Sequence, residues 1–234
     1  MTKSANRLFN KLTTKNYTPQ NICEVGVYLP EASNLIDFIN NNTSTTLVEA
    51  DPVYITKLKS YFANKKNVTI IESAVFDYNG TIELCRSSAS TFISILDRSP
   101  ALINDNYKIN DTEKFVTKSI LFSEIDKGDF DLISIDIEGA EWYVIKHMVS
   151  RPNIISIETH GKFYTNPNLK NILDWMNKNN YQIWYKTGSD TIFIKKGVFP
   201  IKLIEKIQLY IRNIEIQLIK VKKPIRYLLN LIKS

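Results

Sequence analysis

The run Asp131-Leu-Ile-Ser-Ile-Asp136-Ile-Glu138-Gly139-Ala140-Glu141 constrains this chain more than any other part. Leu132 to Ile135 is an apolar stretch of strand length. It reads as a strand buried on both faces, the kind that parallel sheets use. It leads straight into Asp136, Glu138 and Glu141, with Gly139 for a sharp turn, and then into a helical pattern from Glu141 to Met148. Open α/β sheets bind ligands outside the carboxyl ends of their strands. The dipole of the following helix accounts for Glu141 alone. Asp136 and Glu138 stand where such a sheet opens, and they are candidate functional groups.

The rest of the chain supplies the strands such a sheet needs. Ile22 to Val25, Thr46 to Ala50, Val68 to Glu72 and Ile154 to Glu158 are short apolar runs, and helical patterns separate most of them. The predicted helices cover residues 2–16, Glu31 to Asn41, Pro52 to Phe62 and Leu169 to Asn179. Such alternation argues for a parallel sheet covered by helices on both faces. Tyr181 to Lys186 and Thr191 to Lys195 form a closing hairpin. Ala74 to Cys85 carries Asn79-Gly80, the strongest short-range signal for a second hairpin. Residues 86–112 read as a polar, irregular loop, either over the site or plain surface. The fold class is therefore α/β, with a Rossmann-like, seven-stranded, mostly parallel sheet, a terminal antiparallel hairpin and a basic amphipathic helical tail. The expected division is a helical lead-in at 1–19, a sheet domain at 20–197 and the tail at 198–234.

Charge decides what the body is not. The chain of 234 residues carries a net charge of +6. Residues 201–234 hold eight basic and two acidic residues, so the tail accounts for all of it. The body is neutral, which argues against nucleic acid as its partner. No apolar run is long enough to span a membrane. The first residues lack the apolar core of a secretory signal. Cys23 and Cys85 lie far apart in apolar runs, as reduced thiols of a cytoplasmic protein would.

The tail repeats Ile204, Ile207, Ile211, Ile214 and Leu218 at spacings of three and four; Pro224 is expected to break the pattern, which restarts from Ile225 to Ile232. Three uses fit: packing on the body or on a second copy, lying on the inner face of a membrane, or binding nucleic acid, the least favoured. Heptad regularity in the sequence is too short to choose among them.

Three strand ends carry acids or small residues in order. Glu24-Val25-Gly26 ends the first, Glu49-Ala50-Asp51 the second, and Glu72-Ser73-Ala74-Val75 the third. Together with Val48 to Pro52, Ala74 to Gly80, Ser134 to Glu141 and Ile157 to His160, these residues resemble the FkbM family of S-adenosylmethionine-dependent methyltransferases. The likeness covers about residues 20–196, and Asp-x-Glu-Gly-Ala-Glu is its most specific part. It implies a class I methyltransferase fold and O-methylation of a hydroxyl on a sugar, a glycan or another small acceptor.

The resemblance also implies roles. Glu24, Gly26, Val27 and Tyr28 would meet the methionine end of the cofactor. Glu49 would bind the ribose, with Ala50 and Asp51 beside it, and Ser73, Ala74 and Val75 would edge the adenine. Asp136 and Glu138 would face the reacting end, either orienting the acceptor or holding a divalent metal, since carboxylates suit hard cations. His160 is a candidate general base, because its ordinary pKa suits neutral pH. A loop histidine bonded to backbone is the other reading. One departure stands out. The first strand exits through a single glycine, and Tyr28 and Pro30 occupy positions that are often glycine. The alternative function is a non-catalytic member of the fold whose working part is the tail. An NAD enzyme is disfavoured, because Gly-x-Gly-x-x-Gly is missing after the first strand.

Overall fold

The computed structural model describes residues 5–87, 90–104 and 107–232, with side chains from 7 to 220 among them. The chain begins with α1 (Ala5–Thr13), β1 (Asn21–Val25), α2 (Ile36–Asn40), β2 (Ser44–Glu49), α3 (Pro52–Tyr61) and β3 (Val68–Glu72). Next come β4 (Ala74–Val75), β5 (Gly80–Arg86), β6 (Thr91–Ile93), α4 (Pro100–Asn104) and β7 (Lys114–Ile120). The remainder is β8 (Leu132–Ile135), α5 (Glu141–Lys146), β9 (Ile154–Glu158), α6 (Leu169–Lys178), β10 (Tyr181–Lys186), β11 (Asp190–Lys195) and α7 (Leu203–Ile232).

Seven strands form the main sheet in the order β10-β11-β9-β8-β1-β2-β3. Only β11 runs against its neighbours, inserted between β9 and β10. The expected seven-stranded, mostly parallel sheet with a closing hairpin is the sheet observed. Its central strands alternate between two cores. Cys23, Val25, Ile133, Ile135, Ile155 and Ile157 face one core, under α5 and α6. Ile22, Leu132, Ile154, Ile192 and Ile194 face the other, with Leu8 and Leu12 of α1. All four residues of β8 are buried, which explains its unbroken apolar run.

The register aligns the strand ends. Val25 lies beside Val48 and Ile135, and Ile135 beside Ile157. One residue further on, Glu49, Gly26, Asp136 and Glu158 form a single row across the carboxyl edge. Glu72 pairs with Glu49 and Asp190 with Glu158, extending that row at both ends.

A second sheet, β4-β7-β5-β6, stands beside this edge. It corrects the expected hairpin at Asn79-Gly80. Strand β7 lies between β4 and β5, parallel to the first and antiparallel to the second. A type I′ turn needs positive φ at both central residues, and neither Asn79 nor Gly80 has it. The Asn79 side chain instead accepts from Leu121 N at 2.8 Å. Residues 86–112 are not all loop either, since Phe92 and Ala101 are buried and Thr91 to Ile93 is a strand.

The expected helix at Glu31 to Asn41 is also shortened. Pro30–Ala32 is one 3-10 turn and α2 starts only at Ile36. The buried Glu24 carboxylate causes the break, taking the Ser33 hydroxyl at 2.5 Å and the Asn34 N–H at 2.7 Å. Helix α7 errs the other way and continues past Pro224 to Ile232. A proline deletes one donor and can bend a helix without ending it. No helix among the described residues is long and apolar enough to cross a membrane.

Candidate active site

A hollow of about 210 Å³ opens along the row of strand ends. The exit of β1 contributes Glu24, Gly26, Val27 and Tyr28 to its lining. The ends of β2 and β3 add Glu49, Ala50, Ser73, Ala74 and Val75, and β8 adds Asp136 and Glu138. Leu84, Thr91, Phe92 and Ile93 from the second sheet close the far wall.

Glu49 organises the near wall. Its Oε2 accepts from Val27 N at 3.1 Å and Tyr28 N at 2.9 Å. Its Oε1 accepts from Ala50 N at 2.8 Å and Asp51 N at 2.9 Å. One carboxylate thus ties the exits of β1 and β2 together. This explains how the loop works with one glycine. Tyr28 sits at φ 63°, a left-handed conformation that costs a residue with a side chain. Two amides held by Glu49 keep it there. The Tyr28 ring meets Tyr54 edge-on at 4.5 Å, so the departure from glycine builds an aromatic wall.

Gly26 has φ 83°, and a Cβ there would lie 1.8 Å from the Asp136 carbonyl oxygen. The space a side chain would need is taken by the protein's own backbone. Glu138 follows at φ 57° and Gly139 at φ 106°. Glu141 holds this turn, its Oε1 accepting from Ile137 N at 3.1 Å and Gly139 N at 3.0 Å. Its Oε2 accepts from Asn166 Nδ2 at 2.5 Å.

The acids shift one another. Burial raises the Glu24 carboxyl to about 7. Burial, with Glu138 beside it, holds Asp136 well above the carboxylate range. Burial and the Asp136 charge do the same to Glu158. Burial also raises Glu49, Glu141 and Asp190. Among the described residues no lysine or arginine pairs with Asp136, Glu141, Glu158 or Asp190. The rim crowds acidic groups together, and a cationic ligand would favour their charged forms.

A family model described as the methyltransferase FkbM domain matches residues 24–183. The chain belongs to the FkbM methyltransferase family. The family is S-adenosylmethionine-dependent, and the sheet order is the Rossmann-like order such enzymes share. No curated protein sequence matches the chain. The methyltransferase domain of bacterial CtHen1 is similar at 10% identity and TM-score 0.47, covering 81% of this chain and 96% of that one. Podospora anserina PaMTH1, solved with S-adenosylhomocysteine, is 13% identical at TM-score 0.45, covering 84% and 80%. Aeropyrum pernix fibrillarin, with bound S-adenosylmethionine, is 13% identical at TM-score 0.43, covering 81% and 75%.

Two candidate residues of this methyltransferase do not reach the hollow. Asp51 is fully buried and points into the protein. Its oxygens take Arg86 Nε at 2.6 Å and Arg86 Nη2 at 2.7 Å, the Thr91 hydroxyl at 3.1 Å and the Val53 N–H at 2.9 Å. It caps α3 and straps β5 and β6 to the main sheet. Asp51→Ala is therefore expected to lower stability by about 3 kcal/mol, since it strands Arg86 and opens a helix cap. Thermal denaturation checks this, and an unchanged midpoint would refute the strap.

His160 lies past β9, buried, with Nδ1 2.9 Å from the Thr159 hydroxyl. Burial, with Lys186 adding its charge, pushes the imidazole down to about 4. It is a neutral, buried ring beside α7 rather than a base at the cavity. Asn166 is the opposite case. Its run with Pro167 and Asn168 resembles a fragment of the Asn-Pro-Pro-Tyr motif but lacks the second proline and the aromatic, so the pattern predicts no role. It is the residue that holds Glu141. Among the described residues, the acids close enough to share a cation are Asp136, one of the expected pair, with Glu141 and Glu158, their ligand atoms within 4.8 Å of one another. Glu141 spends three hydrogen bonds on the protein itself, which leaves two uncommitted carboxylates for a cation.

Proposed function

We propose that the chain transfers a methyl group from S-adenosylmethionine to a hydroxyl of a sugar, a glycan or another small polar acceptor. The observation that carries this reading is the alignment of Glu49, Gly26 and Asp136 along the edge of one hollow. Glu24, Gly26, Val27 and Tyr28 hold the methionine end. Glu49 and Ala50 hold the ribose, and Ser73, Ala74 and Val75 edge the adenine. The bound cofactor supplies an electrophilic methyl on a sulfonium.

The chain must then orient a hydroxyl and accept its proton. Asp136 and Glu138 stand at that end of the hollow. On this reading they orient the hydroxyl, and the ionised carboxylate nearest it takes the proton. His160 is not among the lining residues, and burial pushes its imidazole down to about 4. The polar rim suits an acceptor rich in hydroxyls. The two buried cysteines, both free thiols, fit a cytoplasmic setting. Residues 201–234 add a contact surface, toward a membrane or a second copy.

Titration calorimetry with S-adenosylmethionine, S-adenosylhomocysteine and NAD tests the cofactor half. Both adenosyl ligands should bind and NAD should not. Mass spectrometry of a panel of sugars and hydroxylated small molecules then tests the acceptor half through a gain of one methyl. Absence of adenosyl binding would favour the non-catalytic alternative.

A further inference from the structure

Helix α7 is mounted with its apolar face outward. Three polar side chains spaced seven and eight residues apart fasten the opposite face to the body. Glu205 takes Lys15 Nζ at 2.6 Å and Trp184 Nε1 at 2.8 Å. Arg212 donates to the Thr187 carbonyl at 2.8 and 3.1 Å, and Lys220 donates to the Thr165 hydroxyl. On the free face Ile204, Ile207, Ile211, Ile214 and Leu218 are 57, 45, 51, 39 and 56% exposed. A helix that only packed on its own domain would turn such a stripe inward.

The spacing identifies the occupant. These five residues alternate by three and four, the seam of a coiled coil. The backbone of the helix does not stop at Pro224 but runs to Ile232. In the sequence Val221, Ile225, Leu228 and Ile232 keep the same spacing. Sustained alternation over three to four heptads is the mark of helix pairing. Leu203, Tyr210 and Ile219 flank the seam and are also exposed. From Leu203 to Ile219 the exposed apolar surface is on the order of 800 Å², which is what each partner contributes to a standard stable interface.

A membrane surface fits less well. Helices that lie in the headgroup region keep their basic residues free at the flanks of the apolar face. Here Arg212 and Lys220 are turned back and bonded to the body, which leaves Lys202 and Lys206 as the exposed basic residues among the described side chains of residues 201–220.

We propose that α7 pairs with α7 of a second copy along the seam from Ile204 to Leu218, so that the chain works as an assembly of at least two. This does not rest on the methyl-transfer reading. The test is light scattering of the full chain beside Ile211→Asp with Ile214→Asp, both exposed positions whose change leaves the body intact. The parent should show at least twice the 27.0 kDa of one chain. The double variant should associate about a hundredfold more weakly, with its circular dichroism spectrum and adenosyl-ligand affinity unchanged. A parent that stays at the mass of one chain overturns the proposal, as does an unchanged mass in the double variant. A parent of single-chain mass that sediments with phosphatidylglycerol vesicles, but not with phosphatidylcholine vesicles, would assign the face to a membrane instead.

Discussion

Gly26→Ala is expected to cost at least about 4 kcal/mol and to abolish binding of adenosyl ligands, a loss in the range that marks a specific structural failure. Two penalties add. Alanine at φ 83° is in the left-handed region, which costs about 1–2 kcal/mol. The larger penalty is spatial. The new Cβ would lie 1.8 Å from the Asp136 oxygen, 2.8 Å from its carbonyl carbon and 2.9 Å from Ile137 Cγ2. Two of those three atoms are backbone, so no rotamer change relieves the contact.

The Asp136 peptide would have to retreat, yet its N–H bonds Val25 O at 2.9 Å, and the Gly26 N–H bonds Val48 O at 2.9 Å. Those bonds hold the row of strand ends level. Moving one end of the row moves Asp136 away from Glu49. Circular dichroism melting and calorimetry read the two effects. Gly188→Ala is the control, because nothing lies within 4 Å of the added atom and its φ is ordinary. A Gly26→Ala protein that melts with the parent and binds normally would show that the row tolerates displacement.

That glycine illustrates what can be read from the sequence and what cannot. A lone glycine after an apolar strand already marks a sharp exit. Nothing local says that the missing side chain makes room for a peptide more than a hundred residues later. The same boundary runs through the site. Glu24, Glu49 and Asp136 are legible because strands announce their own ends, and parallel strands must end together. Asp51 sits in the same motif as Glu49, which predicts the same role for it. Its direction is set by Arg86, 35 residues away on a different sheet, and no local pattern encodes that pairing. Asn166 holds Glu141 across 25 residues and has the sequence of a loop. Helix patterning from Glu31 to Asn41 is sound as periodicity. It loses to a buried carboxylate that takes the Ser33 hydroxyl and the Asn34 N–H. Where a charged group is buried, it takes the nearest donors, and propensity yields.

The buried acids set the last expected result, a stability that falls as pH rises through neutrality. Glu24 moves from 4.5 in the ordinary state to about 7 when folded, chiefly through burial. A raised carboxyl favours folding while protonated. Its contribution is full below 4.5 and is lost as pH climbs through 7, about 3 kcal/mol for this group alone. Asp136, Glu158, Glu49, Glu141 and Asp190 are raised in the same direction. His160 acts oppositely. Its lowered value withdraws stability only as pH falls from about 6.5 toward 4. Above about pH 7 it is neutral in both states and drops out.

The thermal midpoint of the ligand-free chain should therefore decline as pH rises through about 7, over roughly pH 6 to 7.5, and Glu24→Gln should flatten that decline. A bound cation relieves the same repulsion. On the proposed reading, S-adenosylmethionine should protect more at the upper end of this range than at the lower. S-adenosylhomocysteine, which lacks the sulfonium charge, should gain less. Differential scanning fluorimetry with each ligand across the range measures both slopes. Equal slopes for the two ligands would mean that the acid row does not face the sulfonium. A flat ligand-free curve would mean that the row has found its counter-charge within the protein.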